Sequence, residues 1–385
     1  MIFFFVTLPS RWRIYNALGI KNKWIYFVLL SFFRNFVPQR RAIMAILHIF
    51  NPEHDIALAS NLANFTAPHA GRQLRADLGF LPVLWAKEGD VVLVENVEHA
   101  QKASRRLCRC AGVQFASVPP QEIDGIQVWG WDKALKAQLK RKGVAPSLLP
   151  SDTQLEHIRL LSHRRTSARL LPLLQMQGTV GESYECVKPE EVEKLLQKYG
   201  QVVMKAPWSS SGRGLRFLDT ERTPFAQQSG WFHNLVERQG SVMVEPFYDK
   251  VKDFGMEFSA DGQGHIHYEG LSLFHTVNGA YVGNILATEH TKQEMLSRYI
   301  PVDFISCIRE KIISLLDLGN YAGSFGIDMM IVKSPSGFLL HPCVEINLRR
   351  TMGHVALSLT PDDDDIVKVM RIELTDHYKL KINKL

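Results

Sequence analysis

The segment GQVVMKAPWSSSGRGLRFL, residues 200–218, decides how the rest of the chain is interpreted. Its apolar beginning predicts a short buried strand that ends in Lys205, and residues 215–218 predict a second strand. The loop between them, residues 208–214, is rich in serine and glycine, so its backbone N–H groups are accessible, and Arg213 adds positive charge. A strand, loop and strand of this composition is suited to binding phosphate oxygens.

Two better-known phosphate-binding motifs are excluded. In a Walker A loop the lysine follows the glycine-rich loop and begins a helix, whereas here Lys205 precedes the loop and a strand follows it. The tripeptide Asp253-Phe254-Gly255 is typical of protein kinases, but the sequence has no His-Arg-Asp catalytic loop before it and no Ala-Pro-Glu motif after it.

Length and composition indicate a globular protein of two or three domains, with 385 residues, 46% hydrophobic and 22% charged. The formal net charge is +6, but residues 1–43 contain seven Lys and Arg and no acid. The remainder has 38 basic and 39 acidic side chains, so the body of the protein is close to neutral. The charge therefore gives no indication of a nucleic-acid partner.

Residues 1–43 form an extension with two apolar runs, 2–8 and 24–33. Each run is shorter than the ~20 residues of a membrane-spanning helix, and their order does not fit a signal peptide. The extension is an interfacial anchor, a poorly ordered segment, or the result of a start codon assigned too far upstream. The last is favoured because Met44 directly precedes a strand-like run. Five scattered cysteines favour a reducing cytoplasm.

Residues 44–150 predict a parallel-sheet α/β domain, because short apolar strands alternate with helical stretches. The predicted strands are residues 45–50, 81–85, 91–94, 115–118 and 126–129. A polar turn, residues 51–55, follows the first strand and precedes a helix predicted at 56–63, for which Asp55 is the favoured cap.

Residues 151–240 and 241–385 predict two further domains. A helix over 152–174 contains Arg164 and Arg165, and a helix over 189–199 leads to the strand that ends in Lys205. Residues 241–249 predict a strand that ends in a turn carrying acids.

A β-hairpin over residues 325–347 contains an unusual set of oxygen donors. If residues 334–337 form its turn, Lys333 lies opposite Phe338 and Asp328 opposite Cys343. Glu345 is then diagonal to Asp328 on the same face, with Asn347 next along it. The opposite face receives apolar side chains, among them Ile327, Leu340, Val344 and Ile346. Few ligands, all of them oxygen, indicate Mg²⁺ with phosphates completing its shell.

In this order of motifs, from about residue 151 to 353, the sequence resembles the ATP-grasp superfamily. The ending Glu345-Ile-Asn347-Leu-Arg349-Arg350-Thr-Met-Gly353 is the most specific part. The resemblance implies a Rossmann-like first domain followed by a two-lobed ATP-grasp domain, with residues 151–240 as the lid subdomain and 241–385 as the metal and nucleotide subdomain.

The resemblance also implies roles for individual residues. Lys205, Arg349 and Arg213 would act on the transferred phosphate, and Asp328, Glu345 and Asn347 would bind Mg²⁺. Nucleotide contacts would come from Arg164 or Arg165, where the family commonly has a lysine, from the lid and from the strand after it. The lid and strand residues are Ser209, Ser210, Ser211, Gly212, Gly214, Glu245, Pro246, Phe247 and Asp249.

The implied activity is that of an ADP-forming carboxylate-amine ligase that uses ATP and Mg²⁺. Its partners would be a small-molecule carboxylate and an amine-type acceptor; membrane association is not favoured, and a homodimer is one open state. Substrate contacts are expected among Glu53, His54, His275, Asn278, Arg350 and His354. The alternative from another class is a non-catalytic ATP sensor or assembly protein that keeps the fold.

Overall fold

The first sheet of the fold is parallel and consists of four short strands. In the computed structural model, which describes residues 45–107, 112–209, 214–277 and 280–385, their order is β3-β2-β1-β4. Every neighbouring pair is parallel, as the alternation of strands and helices predicts. The strands are β1 (Ile46–Ile49), β2 (Val91–Leu93), β3 (Gln114–Ala116) and β4 (Gly125–Val128), and the helices are α1 (His54–Ser60), α2 (His69–Leu78), α3 (Val97–Ser104) and α4 (Lys133–Arg141).

The strand predicted at residues 81–85 is wrong. Leu81–Leu84 forms a 3₁₀ helix, with Pro82 in its first turn, where a missing N–H is tolerated. Leu81 and Val83 are fully buried, which explains the apolar run. A short apolar run can belong to a buried helix as well as to a strand, and periodicity does not separate the two.

The second sheet is small and antiparallel, with the order β5-β8-β6-β7. It contains both strands predicted around the serine- and glycine-rich loop, and the helix predicted at residues 189–199 is present with the same bounds. The sheet extends past residue 240, the predicted boundary between the second and third domains, because its strand β8 begins at Val242. The elements are β5 (Tyr184–Cys186), α7 (Pro189–Tyr199), β6 (Gln201–Lys205), β7 (Leu215–Asp219), α8 (Ser229–Gln239) and β8 (Val242–Pro246).

The third sheet is antiparallel and carries the largest core. Its order is β13-β12-β9-β10-β11-β14-β15, and Phe254, Phe258 and Phe325 are completely buried on it. The elements are β9 (Lys250–Asp261), β10 (Ile266–Val277), β11 (Ala280–Leu286), α9 (Glu289–Ser297), α10 (Val302–Leu315), β12 (Ala322–Ser334), β13 (Gly337–Asn347), α11 (Met352–Ser358), β14 (Lys368–Leu374) and β15 (Tyr378–Lys384).

The long helix predicted over residues 152–174 is two helices, α5 (Asp152–Leu161) and α6 (Arg165–Leu174). Ser162 donates its hydroxyl to the carbonyl of Ile158 and ends the first helix. His163 and Arg164 lie in the break. Because the backbone turns here, Arg164 leaves the helical surface and points toward the second and third sheets, where its contacts are found.

A parallel-sheet domain followed by two antiparallel sheets is the architecture that the ATP-grasp resemblance implies, and this fold prediction is confirmed. Within the described residues, no helix is both long and apolar enough to cross a membrane. The extension at residues 1–43 and the pair Cys108 and Cys110 lie outside the described part of the chain.

Candidate nucleotide and metal site

The hairpin β12–β13 places two carboxylates face to face. Lys333 lies opposite Phe338, as predicted, but Asp328 lies opposite Glu345 and not opposite Cys343. The register shifts between Asp328 and Met330, so that β13 contains extra residues there. Pro342 lies in this stretch and has no N–H for the strand ladder. The predicted diagonal arrangement is therefore wrong, and the two carboxylates are direct neighbours.

The same bulge changes which side chains enter the core. Cys343 is 1% exposed and packs in the main core cluster, whereas Val344, predicted on the core face, is only half-buried. Ile327, Leu340 and Ile346 are buried as predicted.

Asp328 and Glu345 together offer the negative charge that a cation site needs. Burial, and secondly the nearby charge of Glu345, raises the pKa of Asp328 to about 7, although Asn347 and Arg349 act in the opposite direction. Asn347 lies on the same strand and accepts a hydrogen bond from Arg349 at 3.0 Å. The three side chains offer only oxygen ligands, and the negative charge of the two carboxylates is partly buried, which fits Mg²⁺. The described ranges contain no cluster of three or more His, Cys, Asp or Glu that could hold a metal ion.

Arg164 lies at this site and Arg165 turns away from it. The Nη1 of Arg164 is 2.8 Å from a carboxylate oxygen of Glu345, and its Nε donates to the carbonyl of Ala206 at 3.0 Å. Its Nη2 is 3.4 Å from the hydroxyl of Ser209. Arg165 instead pairs with Glu185 at 2.5 Å on the second sheet. Of the two arginines, Arg164 is the one that contacts both the hairpin and the residue after Lys205.

Lys205 ends β6 inside the protein, where it forms an ion pair with Glu245. Both residues are buried, with 7% and 5% of their surfaces exposed. The other carboxylate oxygen of Glu245 accepts a hydrogen bond from Ser183 at 3.2 Å. A buried lysine beside a carboxylate interacts strongly with any further charge that enters, because the local dielectric is low.

The loop after β6 returns close to its own start. Gly214 accepts a hydrogen bond from the N–H of Ala206 at 2.8 Å, and a Cβ atom on Gly214 would lie 2.5 Å from the Cβ of Ser209. Only glycine fits this approach. The predicted lid residues Ser210, Ser211, Gly212 and Arg213 lie outside the described residues.

The residues at the end of the strand predicted after the loop differ in how far they are exposed to solvent. Pro246 is buried in β8, whereas the ring of Phe247 is 48% exposed and contacts Phe217 edge-on at 6.1 Å. Asp249 is exposed, and its carbonyl accepts a hydrogen bond from the N–H of Lys333 at 2.9 Å. Of this group, Glu245 is the side chain in contact with Lys205.

Arg349 is held by a residue of the first domain. Its Nε lies 2.9 Å from both carboxylate oxygens of Asp55, and its Nη2 lies 2.7 Å from one of them. Burial would raise the pKa of Asp55, but the charge of Arg349 and its hydrogen bonds keep it below the usual value. Asp55 is therefore not the cap predicted for α1: Glu53 occupies the N-cap position, and Asp55 lies in the first turn.

Two buried polar residues at or near the site escaped the sequence reasoning. His341 is 0% exposed, and neither of its ring nitrogens has a hydrogen-bond partner within the described chain. A Cβ atom on Gly181 would lie only 2.7 Å from the Nε2 of His341. The ring centroids of His341 and Tyr248 are 5.6 Å apart. Burial lowers the pKa of His341 to about 4. The available signal was a histidine inside the apolar run at 338–344.

Glu257 is the second of these residues. It is 3% exposed on β9, where it accepts a hydrogen bond from the hydroxyl of Thr351 at 2.8 Å and lies 3.0 Å from His354. Burial, and secondly the charge of Asp328, raises the pKa of Glu257 to about 8, whereas the hydrogen bond from Thr351 acts to lower it. The signal was an acid in the middle of a strand pattern.

The expected substrate residues divide between buried and exposed positions. His354 is buried in the network with Thr351 and Glu257, and His275 is exposed. Arg350 stacks on the ring of Trp85, 4.3 Å from its centroid. Asn278 lies outside the described residues. Glu53 and His54 lie together in the first domain, 8% and 0% exposed.

No protein-family model and no curated protein matches the sequence, whereas solved structures match the fold. An N5-carboxyaminoimidazole synthetase from Staphylococcus aureus complexed with ADP is 15% identical with a TM-score of 0.49, covering 86% of this chain and 82% of that one. A biotin carboxylase from Campylobacter jejuni in a β-γ-ATP complex is 13% identical with a TM-score of 0.47, covering 86% and 75%. Both structures are less than 25% identical to this chain, and both TM-scores lie below 0.5.

Proposed function

We propose that this chain is an ATP-grasp ligase, which uses ATP and Mg²⁺ to activate a substrate carboxylate as an acyl-phosphate for attack by an amine or a similar nucleophile. The observation that supports this most is the position of Arg164. It contacts Glu345 of the hairpin and the backbone of Ala206, the residue after Lys205. One buried cation thus lies between the proposed metal ligands and the proposed phosphate-binding strand.

The chemistry needs two bond exchanges. A carboxylate oxygen of the substrate bonds to the γ-phosphorus of ATP while the bond from that phosphorus to the β–γ bridging oxygen breaks, which releases ADP. The amine lone pair then bonds to the carbonyl carbon, phosphate leaves with the electron pair of the C–O bond, and the amine proton passes to solvent. Both steps depend on positioning and charge neutralisation, so no side-chain nucleophile is required.

In this proposal the chain contributes three oriented cations. Lys205, Arg164 and Arg349 would bind phosphate oxygens, and each is already positioned by a carboxylate of the protein. Such preorganised charges act without reorganisation during the reaction. Asp328, Glu345 and Asn347 would hold Mg²⁺, which neutralises phosphate charge when bound. Residues 209–214 would close over the nucleotide and exclude water from the labile acyl-phosphate.

The substrates of the proposed ligase are small molecules, and the cytoplasm is the compartment that its chemistry fits. A homodimer remains a prediction.

One observation favours the second candidate, a nucleotide-binding protein without turnover. Each proposed phosphate-binding cation has a carboxylate partner within the protein, so the site is charge-compensated without a ligand. A sensor could use this arrangement to switch between internal and nucleotide pairing. The ligase remains our proposal because Asp328, Glu345 and Asn347 of the hairpin would supply oxygen ligands for Mg²⁺ beside the proposed phosphate-binding cations.

The decisive experiment measures ADP and phosphate release with ATP, Mg²⁺ and a panel of carboxylates combined with amines. The ligase predicts release that depends on one carboxylate and that Asp328→Asn or Glu345→Gln abolishes. Nucleotide binding without turnover on any pair would favour the sensor. A folded wild-type protein that binds no nucleotide in the presence of Mg²⁺ would overturn both.

A further inference from the structure

A cavity of about 230 Å³ lies in the first domain, at the carboxyl ends of β1 and β4. It is smaller than the ~300 Å³ at which pockets for drug-sized ligands begin, so only a small metabolite would fit into it. Carboxyl ends of parallel strands are where open α/β sheets bind ligands. Thirteen residues line it, among them Asn51, Glu53, Arg72, Asp132, Leu135 and Arg141.

The buried end of this cavity holds an acid with a free oxygen. Glu53 is 8% exposed, and one of its oxygens pairs with Arg75. The other oxygen, Oε2, is buried and has no hydrogen-bond partner in the part of the chain that the structure describes. A buried acceptor without a hydrogen bond is unfavourable, so this position calls for a donor from a ligand.

The charge around Glu53 favours a cationic donor. Asp132 is also buried and lines the same cavity. Burial is the main cause that raises the pKa of Glu53, and the charge of Asp132 raises it further. The cation Arg75 is shared with the exposed Glu95, which its Nε contacts at 3.0 Å. Asp132 is engaged by the N–H of Leu135 at 2.8 Å and by Asn51 at 3.3 Å. Glu53 is therefore the group left to bind an ammonium.

The remaining lining has the opposite charge and an apolar wall. Arg72 and Arg141 line the cavity and are exposed, so they can bind an anionic group that faces solvent. Ala57, Phe65 and Leu135 supply apolar surface between the two ends. A ligand that satisfies all three regions has an amino group, a short apolar body and a carboxylate.

We propose that this cavity binds a zwitterionic amino acid, with its amino group on Glu53 and its carboxylate toward Arg72 and Arg141. The assignment rests on the proposed function in one respect, that this amino acid is a substrate of the ligase. The geometry supports that link, because helix α1 carries Glu53 at its N-cap and Asp55, two residues later, contacts Arg349. The backbone N–H of Arg350 also bonds to Trp129 at the end of β4, at 2.8 Å.

The test measures binding of the standard L-amino acids to the full-length protein by calorimetry and by the shift in unfolding temperature, without nucleotide. At least one amino acid should bind saturably, and its N-acetyl derivative should bind at least about tenfold more weakly, because it lacks the ammonium. Glu53→Gln should weaken binding by a similar factor. Glu95→Gln is the matched control, since it removes the other partner of Arg75 outside the cavity, and should change affinity by less than about twofold.

A second variant protects the test against misfolding of the first. Ala134→Leu adds bulk to the cavity from a half-buried position of α4 without altering a charge, and it should abolish binding. The proposal is overturned if no amino acid binds the wild type, or if folded Glu53→Gln binds as tightly as the wild type. Nucleotide binding is measured in parallel. Amino-acid binding without ATP binding would remove the ligase and keep this site, and the reverse result would remove only this site.

Discussion

The nucleotide and metal site differs from the first-domain cavity in how its charges are satisfied. Each of the three described cations proposed to bind phosphate has an internal carboxylate partner; the pairs are Lys205–Glu245, Arg164–Glu345 and Arg349–Asp55. In the cavity, Glu53 keeps a buried oxygen without a described partner. The first region is held in one geometry by its own contacts, whereas the second is completed by a ligand. A ligand at the first must therefore compete with protein contacts.

The largest expected effect tests the paired region. Glu345→Gln removes one carboxylate of the hairpin pair and the partner of Arg164, so kcat/KM for ATP-dependent phosphate release should fall about 1,000-fold, or ~4 kcal/mol of transition-state stabilisation. Glu310→Gln, on exposed surface beside Arg309, is the control and should leave turnover unchanged. Activity within tenfold of wild type in Glu345→Gln would remove Glu345 from the site.

The next effect concerns the pair that joins the first domain to the hairpin. Asp55→Asn leaves Arg349 with an uncompensated charge, and we expect the free energy of unfolding to fall by about 3 kcal/mol, measured in urea. The double variant Asp55→Asn with Arg349→Gln should recover part of the loss, because the unpaired charge is removed. Additive losses in the cycle would show that the two side chains do not interact.

These two sites also differ in how far the sequence predicted them. The strand ending in Lys205, helix α7 and the turn of the hairpin were predicted because each depends on local periodicity and turn residues. The position of Glu345 opposite Asp328 depends on a bulge, and a bulge shifts register without changing composition. The partner of Asp55 lies 294 residues away along the chain, and a local pattern favours the cap instead.

The cavity was beyond sequence reasoning for a related reason. Glu53 and His54 were candidates only because the family resemblance implies substrate contacts from the first domain. Their common environment with Asp132 requires β1 and β4 to be neighbours. The 3₁₀ helix at Leu81–Leu84 was missed because burial alone produced its apolar run.

A pH experiment sharpens the comparison at Glu257, which is buried close enough to Asp328 to feel its charge. Its pKa is raised from 4.5 to about 8, so the folded protein keeps a proton that the unfolded chain loses. Stability from this group is present below about pH 4.5 and is lost as pH rises to about 8. Glu257→Gln should flatten the decline in unfolding free energy over that window by at least about 1.4 kcal/mol, the equivalent of one pKa unit.

An equal slope in wild type and Glu257→Gln, measured by urea denaturation across this range, would contradict the raised pKa. Thr351→Ser keeps the hydroxyl that bonds to Glu257 and serves as the control.

The smallest effect concerns His341, whose two buried ring nitrogens resemble the free oxygen of Glu53. Replacement by leucine removes unsatisfied polar atoms, so the free energy of unfolding without nucleotide should rise by about 1 kcal/mol. If these nitrogens serve the nucleotide, ATP affinity should fall about fivefold in the same variant. Lower stability with unchanged ATP affinity would mean that His341 is satisfied within the protein.

Arg164 connects two parts of the molecule, because it occupies the break between α5 and α6 and contacts both the second sheet and the hairpin. If the second sheet swings away from the hairpin, the guanidinium can follow only one of them. Opening would therefore break either the ion pair of Arg164 with Glu345 or its hydrogen bond to the carbonyl of Ala206, so the angle between the sheets determines which of these two contacts is kept.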